Sequence, residues 1–241
     1  MDFIQGEVIP FYKPFEWTSF GIVAKVRNIL SERLGTKVKI GHAGTLDPYA
    51  TGVIILLTGK ATKRVEEYQQ HTKEYIATLK LGATTASYDR EHPENATFPT
   101  EHITRELVEQ TLRQFIGVIE QVPPEYSACK VNGEHAYKLI RKGKEVKLKP
   151  KTLVIEEIEL LSYDKPEMQI RVVCSKGTYI RALARDIGEA LHSGAYLTGL
   201  KRTRIGDIRI ADCHTLEEFP GWLDRMMTND ITTTHIQTLH K

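Results

Sequence analysis

The chain has 241 residues, of which 41% are hydrophobic and 27% charged, the composition of a globular protein with one large or two small domains. This excludes a disordered chain, a collagen-like repeat and a coiled coil. The net charge is only +2, yet residues 130–151 carry eight Lys and Arg against two Glu, and residues 171–209 carry eight against three acids.

The hydrophobic pattern predicts both helices and strands. A helix begins after Thr18 or Ser19, either of which supplies its N-cap, because apolar residues then recur at helical spacing. Further helical segments are residues 61–70, 103–115 and 180–191. Strands are predicted at residues 38–40, 53–57, 75–81, 152–163, 168–175 and 196–210. Because strands and helices do not alternate regularly, we predict an α+β fold with a mostly antiparallel sheet.

The chain shows no signal for export or for membrane insertion. Its longest aliphatic run, residues 53–57, is far shorter than the roughly 20 residues of a membrane-spanning helix. The three cysteines lie far apart without CxxC spacing, which indicates neither a disulfide framework nor a thiolate zinc site. We therefore expect a cytoplasmic protein that does not contact the membrane.

Between residues 122 and 151 the hydrophobic periodicity fades while Pro, Gly and Lys accumulate. This segment is either a long loop or an inserted arm. Tyr126 and Tyr137 lie among its lysines, a mixture suited to base stacking and phosphate pairing. The alternative is a flexible surface loop whose charges have no binding role. The residues alone do not decide between this loop and an RNA-binding segment.

Two cofactor motifs are incomplete. The segment 58–62 resembles the end of a phosphate-binding loop, but Ile54 stands where a glycine is required and Ala61 where a Ser or Thr is required. The nine histidines form no HExxH-type cluster. We predict neither a metal nor a nucleotide cofactor.

The segment richest in chemistry is GHAGTLDPYATG, residues 41–52, between two strand candidates. Asp47 lies in the connecting loop, where reactive groups are often placed. An Asp before a Pro is, however, more often a turn residue than a catalytic one, so the residues alone do not decide its role.

This segment resembles the catalytic signature of the TruB family of bacterial tRNA pseudouridine-55 synthases. Further elements of that family match in the same order along the chain: Lys13-Pro14 with Trp17-Thr18-Ser19, Lys73-Glu74-Tyr75, Pro123 to Ala128 with Lys130, Ser175 to Arg181, and Leu197 to Thr203. Glu16 departs from the glycine that is usual in the first of these.

The resemblance implies an enzyme that isomerises the T-loop uridine at tRNA position 55 to pseudouridine without a cofactor. It also implies a pseudouridine-synthase core, with a mixed, mostly antiparallel sheet, flanking helices and an inserted basic arm at about residues 122–151. We expect residues 1–241 to form a single catalytic domain without the PUA-type C-terminal domain of many members. The T-arm of tRNA is the expected partner of a monomer with no obligate protein partner.

The resemblance assigns the chemistry to three residues. Asp47 matches the essential carboxylate, and whether it attacks C1′, adds to the base or removes a sugar proton stays open. Arg181 matches the residue that pairs with this carboxylate. Tyr75 matches the aromatic residue that stacks on the target base.

Other matched residues would bind a uridine flipped out of the T-loop. His42 would enter the RNA near the vacated position, and Tyr179 and Leu200 would line the base pocket. Lys13 and Lys130, with the basic residues of the arm, would contact phosphates. We expect this arm to be mobile without RNA and to become ordered on binding.

Two other functions are compatible with the same scaffold. One is a module that binds or folds tRNA without chemistry, and the other is a synthase that acts on other RNAs. Retention of Asp47, Tyr75 and Arg181 together argues against the first.

Overall fold

The computed structural model describes residues 1–238 as a mixture of helices and mostly antiparallel strands, so the α+β prediction is confirmed. The strands are β1 (Val8–Lys13), β2 (Ile40–Ala43), β3 (Ala50–Thr58), β4 (Lys73–Leu81), β5 (Ala83–Thr85), β6 (Glu94–Thr97), β7 (Gly117–Gln121), β8 (Lys130–Val131), β9 (Glu134–His135), β10 (Lys151–Asp164), β11 (Glu167–Cys174), β12 (Ala195–Ile205) and β13 (Ile208–Arg209). The α-helices are α1 (Ser19–Leu34), α2 (Val65–Gln70), α3 (Arg105–Arg113), α4 (Ala136–Arg141), α5 (Ile180–Ala190) and α6 (Phe219–Thr238). None of the helices described is long and apolar enough to cross a lipid bilayer.

The chain divides into two compact units. The first contains residues 1–69 together with those from Arg204 onward, and the second contains residues 70–203. Because compact units within one chain can belong to one domain or to two, the single catalytic domain over residues 1–241 stays a prediction.

In the first unit, β3 is the central strand. It pairs antiparallel with β1 and with β2, and its residues from Gly52 to Thr58 are all buried. Ile54 and Leu56 pack into one apolar cluster with α1 and α6, whereas Val53, Ile55 and Leu57 pack into another. Both faces of this strand are therefore covered, which explains its continuous aliphatic sequence.

The helix α1 begins where the sequence predicts. Thr18 is its N-cap, and the Thr18 hydroxyl accepts a hydrogen bond from the Gly21 N–H at 2.9 Å. Gly35 ends the helix with φ 61°, the left-handed conformation that favours glycine at this position. The start of α1 thereby fixes the position of Ser19, which the site uses.

The second unit is built on five neighbouring strands in the order β12-β4-β11-β10-β7. Apolar and polar residues alternate along most of β4, and in the structure every second residue of this strand is buried. The β10–β11 hairpin turns at residues 165–166, between the strands predicted at residues 152–163 and 168–175. The helix α5 contacts β4 and α3 contacts β10, so the sheet carries the helix that bears Arg181.

The segment 122–151 contains regular structure of its own. The strands β8 and β9 form a short hairpin, and α4 follows directly. Cys129, Ala136 and Val146 form a small apolar cluster within the segment. The structure therefore favours an inserted arm over a loop without secondary structure.

Candidate active site

The first unit presents Asp47 in the loop that joins β2 to β3. Ala43 lies opposite Ile55 where the two strands pair, and residues 44–49 connect them. The Asp47 carbonyl oxygen accepts a hydrogen bond from the Ala50 N–H at 3.0 Å, which closes a turn. Gly44 has φ 87°, a conformation that costs a residue with a Cβ more than it costs glycine. Asp47 itself is half-buried, on a short connection between two paired strands.

The residue before Asp47 is fixed by Ser19. The Leu46 N–H donates to the Ser19 hydroxyl at 2.9 Å, and the same hydroxyl is 3.0 Å from the Leu46 carbonyl, to which it donates. Both residues are buried, so water does not compete for these bonds. The N-terminus of α1 thereby holds the main chain of the loop one residue from Asp47.

The residue after Asp47 is fixed by the segment that precedes α1. The Pro48 carbonyl accepts hydrogen bonds from the Glu16 N–H at 2.9 Å and from the Lys13 ammonium at 3.1 Å. Residues 13–19 and the Asp47 loop match two separate elements of the family resemblance, and the structure brings them together.

Lys13 is fully buried, and its predicted phosphate contact needs correction. Its ammonium donates to the carbonyls of Pro14 at 3.0 Å, Trp17 at 2.5 Å and Pro48 at 3.1 Å. A buried ammonium requires partners for its donors, and these carbonyls supply them. Lys13 therefore supports the loop next to Asp47 instead of facing a phosphate.

His42 lies on β2, opposite Leu56 of β3, and is half-buried. It belongs to the same unit as Asp47 and precedes it by five residues along the loop-bearing hairpin. Its entry into the folded RNA stays a prediction.

The second unit holds Arg181 in the first turn of α5, with 6% of its surface exposed. The guanidinium donates to the Ser87 carbonyl at 3.1 Å and to the Tyr126 carbonyl at 2.9 Å. Its Nε lies 3.6 Å from an Asp89 carboxylate oxygen. An arginine of an amphipathic helix is ordinarily a solvated residue, and the burial of Arg181 excludes that interpretation here.

Asp89 is a buried carboxylate to which the sequence assigned no role. Besides the approach of Arg181, its side chain accepts hydrogen bonds from the Ser87 hydroxyl at 2.5 Å and the Glu91 N–H at 2.9 Å. A buried carboxylate needs such partners to remain charged. Asp89 ends an acidic element, residues 84–89, that resembles one of the same family but lacks the glycine that often follows it there. This resemblance was the signal that could have found Asp89.

Tyr75 is buried on β4, opposite Val172 of β11. It shares a face of the strand with Lys73, which is also buried. Burial, together with the charge of Arg202, lowers the pKa of Lys73 from 10.5 to about 8. The face that carries Tyr75 thus carries an ammonium group in a desolvated position.

The remaining predicted residues also lie in the second unit. Tyr179 is the N-cap of α5 and is half-buried, as is Leu200 on β12. Lys130 begins β8 in the arm and is exposed. The other basic residues of the arm are exposed as well: Lys138, Arg141, Lys142, Lys144, Lys147, Lys149 and Lys151. Among the side chains that the structure describes, those of residues 1–228, no three of His, Cys, Asp or Glu are grouped so that they could hold a metal ion.

Two family models match this sequence and together cover most of it. The model described as "TruB family pseudouridylate synthase (N terminal domain)" matches residues 27–180. The model described as "tRNA pseudouridylate synthase B C-terminal domain" matches residues 181–239.

Curated relatives are similar over nearly their whole length. "tRNA pseudouridine synthase B" of Phocaeicola vulgatus is 65% identical over 232 residues, which cover 96% of this chain and 99% of the relative. The protein of the same name from Bacteroides thetaiotaomicron is 66% identical over 230 residues, covering 93% of this chain and 96% of the relative. That of Flavobacterium johnsoniae is 47% identical over 208 residues, covering 86% of this chain and 91% of the relative.

Solved structures share the fold at lower sequence identity. A chain of a "Cbf5-Nop10-Gar1 Complex" superposes with a TM-score of 0.69 and 28% identity, covering 92% of this chain and 55% of the solved one. A chain of an "H/ACA RNP bound to a substrate RNA containing 2'-deoxyuridine" superposes with a TM-score of 0.68 and 27% identity, covering 95% and 56%. The present chain thus spans little more than half the length of these solved relatives.

Proposed function

Because the chain belongs to the TruB family of pseudouridylate synthases, we propose that it isomerises a uridine of tRNA to pseudouridine. The predictions of the family and of an isomerase are both confirmed. Our finer proposal is that the substrate is the T-loop uridine at position 55, the target of the family that the sequence resembles.

The observation that carries the proposal is the support of the Asp47 loop. The main chain is fixed at Leu46 by the buried Ser19 hydroxyl and at Pro48 by the Glu16 N–H and the Lys13 ammonium. Rigid placement of one carboxylate is what a reaction at a single sugar carbon requires, because misplacement by about 1 Å can cost a hundredfold in rate. A protein that only binds RNA would not need this support for an acidic residue.

The reaction balances within the nucleoside. The bond between C1′ and N1 breaks, a bond between C1′ and C5 forms, C5 loses its proton and N1 gains one. Since the product is an isomer of the substrate, no oxidant, reductant or group donor is consumed. We propose that Asp47 provides the carboxylate that this exchange of bonds needs.

We propose distinct tasks for the other residues. Tyr75 stacks on the target base, and Tyr179 and Leu200 line the pocket that receives it. Arg181 pairs with the catalytic carboxylate, and His42 enters the RNA near the position that the base has left. Lys130 and the other exposed cations of the arm contact phosphates, which supply much of the affinity for RNA.

The two alternative functions are not favoured. A module that binds or folds tRNA without chemistry would not be expected to share 65% of its residues with a relative named as a synthase. A synthase acting on other RNAs is likewise not favoured, because the relatives described above are named for tRNA. We further propose that the enzyme works in the cytoplasm as a monomer, which light scattering during size-exclusion chromatography would test.

The decisive experiment uses tRNA that carries tritium at C5 of its uridines, since formation of the new C–C bond releases that label. Asp47→Asn should release no tritium above background and still bind tRNA within about threefold of the parent affinity. Asp207→Asn, which changes an exposed aspartate of the same unit, should release tritium at the parent rate. Release by Asp47→Asn at the parent rate would remove Asp47 from the mechanism, and no release by the parent would refute the proposed activity.

A further inference from the structure

The main chain of Tyr179 is held by a buried amide. The Tyr179 N–H donates to Oε1 of Gln121 at 2.9 Å, and Nε2 of the same side chain donates to the Tyr179 carbonyl at 3.2 Å. Gln121 ends β7 and is fully buried. Tyr179 is the N-cap of α5 and makes no side-chain cap of its own. Gln121 therefore fixes the backbone at the residue where α5 begins.

The phenol of Tyr179 is held by a thiol. Its hydroxyl lies 3.3 Å from Sγ of Cys129, and the Lys151 ammonium donates to the same sulfur at 3.5 Å. Cys129 is buried, with 9% of its surface exposed. The main-chain N–H of Cys129 reaches the Ser127 hydroxyl at 3.4 Å, so the sulfur is fixed from its own backbone as well.

The surroundings of Cys129 and Tyr179 shift the pKa values of both side chains. Burial raises the pKa of the Cys129 thiol. Hydrogen bonds with Tyr179 and Ser127 and the charge of Lys151 lower this pKa by more than burial raises it, so the net shift is downward. Burial and the neighbouring sulfur raise the pKa of Tyr179 well above its ordinary value. The phenol therefore keeps its proton, and either the phenol or the thiol can donate in the contact between them.

The residues that contact Tyr179 and its sulfur partner lie near the beginning and at the end of the arm. Gln121 and Cys129 lie where the chain enters the arm, and Lys151 lies where it leaves. The aromatic ring of Tyr179 packs on the apolar cluster of the arm, which includes Ala136 and Val146. The sulfur that contacts Tyr179 thus also contacts Lys151, the residue at which the arm ends.

We propose that Cys129 is a positioning residue for the isomerisation, because its sulfur fixes the phenol of Tyr179 in the orientation that receives the target base. This inference rests on the proposed function, in which Tyr179 lines the base pocket. Gln121 fixes the main chain of the same residue, so the tyrosine has little freedom at either end. If the thiol of Cys129 only filled space, its removal would change the stability of the arm and the affinity for RNA. The effect would then not depend on the phenol of Tyr179.

The first test compares Cys129→Ala with Cys129→Ser in single-turnover release of tritium from C5-labelled tRNA. The alanine variant should react about threefold to tenfold more slowly at saturating enzyme, with tRNA affinity changed less than twofold, because one hydrogen bond is lost. The serine variant keeps an acceptor and should recover most of the rate. Cys213→Ala, which removes a half-exposed thiol that bonds to the Arg209 carbonyl, should react like the parent.

The second test places Cys129→Ala in a Tyr179→Phe background. If the thiol acts through the phenol, its removal should slow this background less than twofold. An equal slowing in both backgrounds, or parental rates for Cys129→Ala alone, would overturn the proposal. Parent enzyme without any tritium release would instead refute the proposed function, so the two failures are distinguishable.

Discussion

At the residue scale, buried cations of this protein hold main-chain carbonyls. The Lys13 ammonium donates to three carbonyls, and Arg181 donates to those of Ser87 and Tyr126. A carbonyl is present at every position of a loop, so such a contact fixes the loop without dictating its sequence. Each of these two long basic side chains therefore has a structural task within its own unit.

The correction for Lys13 can be tested through salt. Lys13→Met should slow tritium release and cost about 1–3 kcal/mol of unfolding free energy, because three main-chain carbonyls lose their donor. The dependence of tRNA affinity on salt concentration should be unchanged. By contrast, Lys144→Met in the exposed arm should reduce the slope of log affinity against log salt by about 0.7–0.9. An equal reduction for Lys13→Met would restore the phosphate contact.

Asp89 provides a second residue-scale prediction. Asp89→Asn keeps the shape but removes the negative charge 3.6 Å from Nε of the buried Arg181. Because the guanidinium then lacks this countercharge, we expect at least a tenfold fall in single-turnover rate with tRNA binding retained. Glu91→Gln, an exposed neighbour, is the matched control. Equal rates for the two variants would show that Asp89 has no part in the chemistry.

Lys73 gives a pH dependence whose sign follows from its depressed pKa. In the unfolded chain the ammonium titrates near its ordinary 10.5, and in the folded protein near about 8. Between these values the unfolded state binds more protons, so this group adds stability as pH rises from 8 towards 10.5. The unfolding free energy of the parent relative to Lys73→Met should therefore increase from pH 7.5 to pH 9.5 in urea titrations.

The comparison for Lys73 needs a control because other groups titrate in the same range. Lys39→Met, which removes an exposed ammonium of the same chain, is the matched control. A constant difference for Lys73→Met would contradict the depressed pKa.

The sequence allowed prediction of residues that sit in local motifs. The Asp47 loop was predicted from twelve contiguous residues, and Arg181 and Tyr75 from short matched elements. Asp89, Gln121 and Cys129 were not assigned roles, because their partners lie 92, 58 and 50 positions away along the chain. Contacts at such separations depend on the tertiary fold, which one sequence does not display.

At the element scale, the arm is made of pieces that are weak in isolation. The helix α4 has six residues, and β8 and β9 have two each. A helix this short and a single two-stranded hairpin are both marginal in water without packing. The apolar cluster around Ala136, against which Tyr179 packs, supports the arm within the second unit.

We therefore expect amide hydrogens of residues 122–151 to exchange rapidly in the free protein and more slowly with tRNA bound. The effect follows because phosphate contacts to the exposed lysines would hold the arm closed. Hydrogen exchange with mass spectrometry measures it, with the buried strand β3 as the protected reference. Equal exchange in the arm with and without tRNA would contradict ordering on binding.

Helices and strands were predictable where hydrophobic residues recur at the spacing of one buried face. The alternating β4 and the helices α1 and α5 appear close to the predicted residues. β1 and α6 were missed, since β1 contains Pro10 and α6 begins Phe-Pro-Gly, both of which are typical of turns. Pro220 lies in the first turn of α6, where a missing N–H costs nothing, and pairing with β3 stabilises β1.

At the scale of the whole molecule, the first unit is assembled from two distant segments of the chain. Phe219 and Leu223 of α6 are fully buried in the cluster formed by β1, α1 and β3. The ring of Phe219 packs edge-on against Phe11 at a centroid distance of 4.9 Å. The core that supports the Asp47 hairpin therefore includes residues beyond position 203.

Phe219→Ala should consequently destabilise the protein by about 3–5 kcal/mol, since it leaves a cavity in this core. Urea unfolding measures the loss, and Arg225→Ala on the exposed side of α6 should change stability by less than 0.5 kcal/mol. A loss below 1 kcal/mol for Phe219→Ala would show that α6 does not complete the core.

Because the first unit consists of two distant chain segments, it cannot be completed during translation before the second unit has been synthesised. A ribosome delivers residues 70–203 before Phe219 and Leu223 leave the exit tunnel, so the second unit has all of its sequence available first. The hairpin bearing Asp47 emerges early, but its hydrophobic core is incomplete until Phe219 and Leu223 have been translated. A nascent chain stalled before Phe219 would therefore hold the aspartate without a finished scaffold.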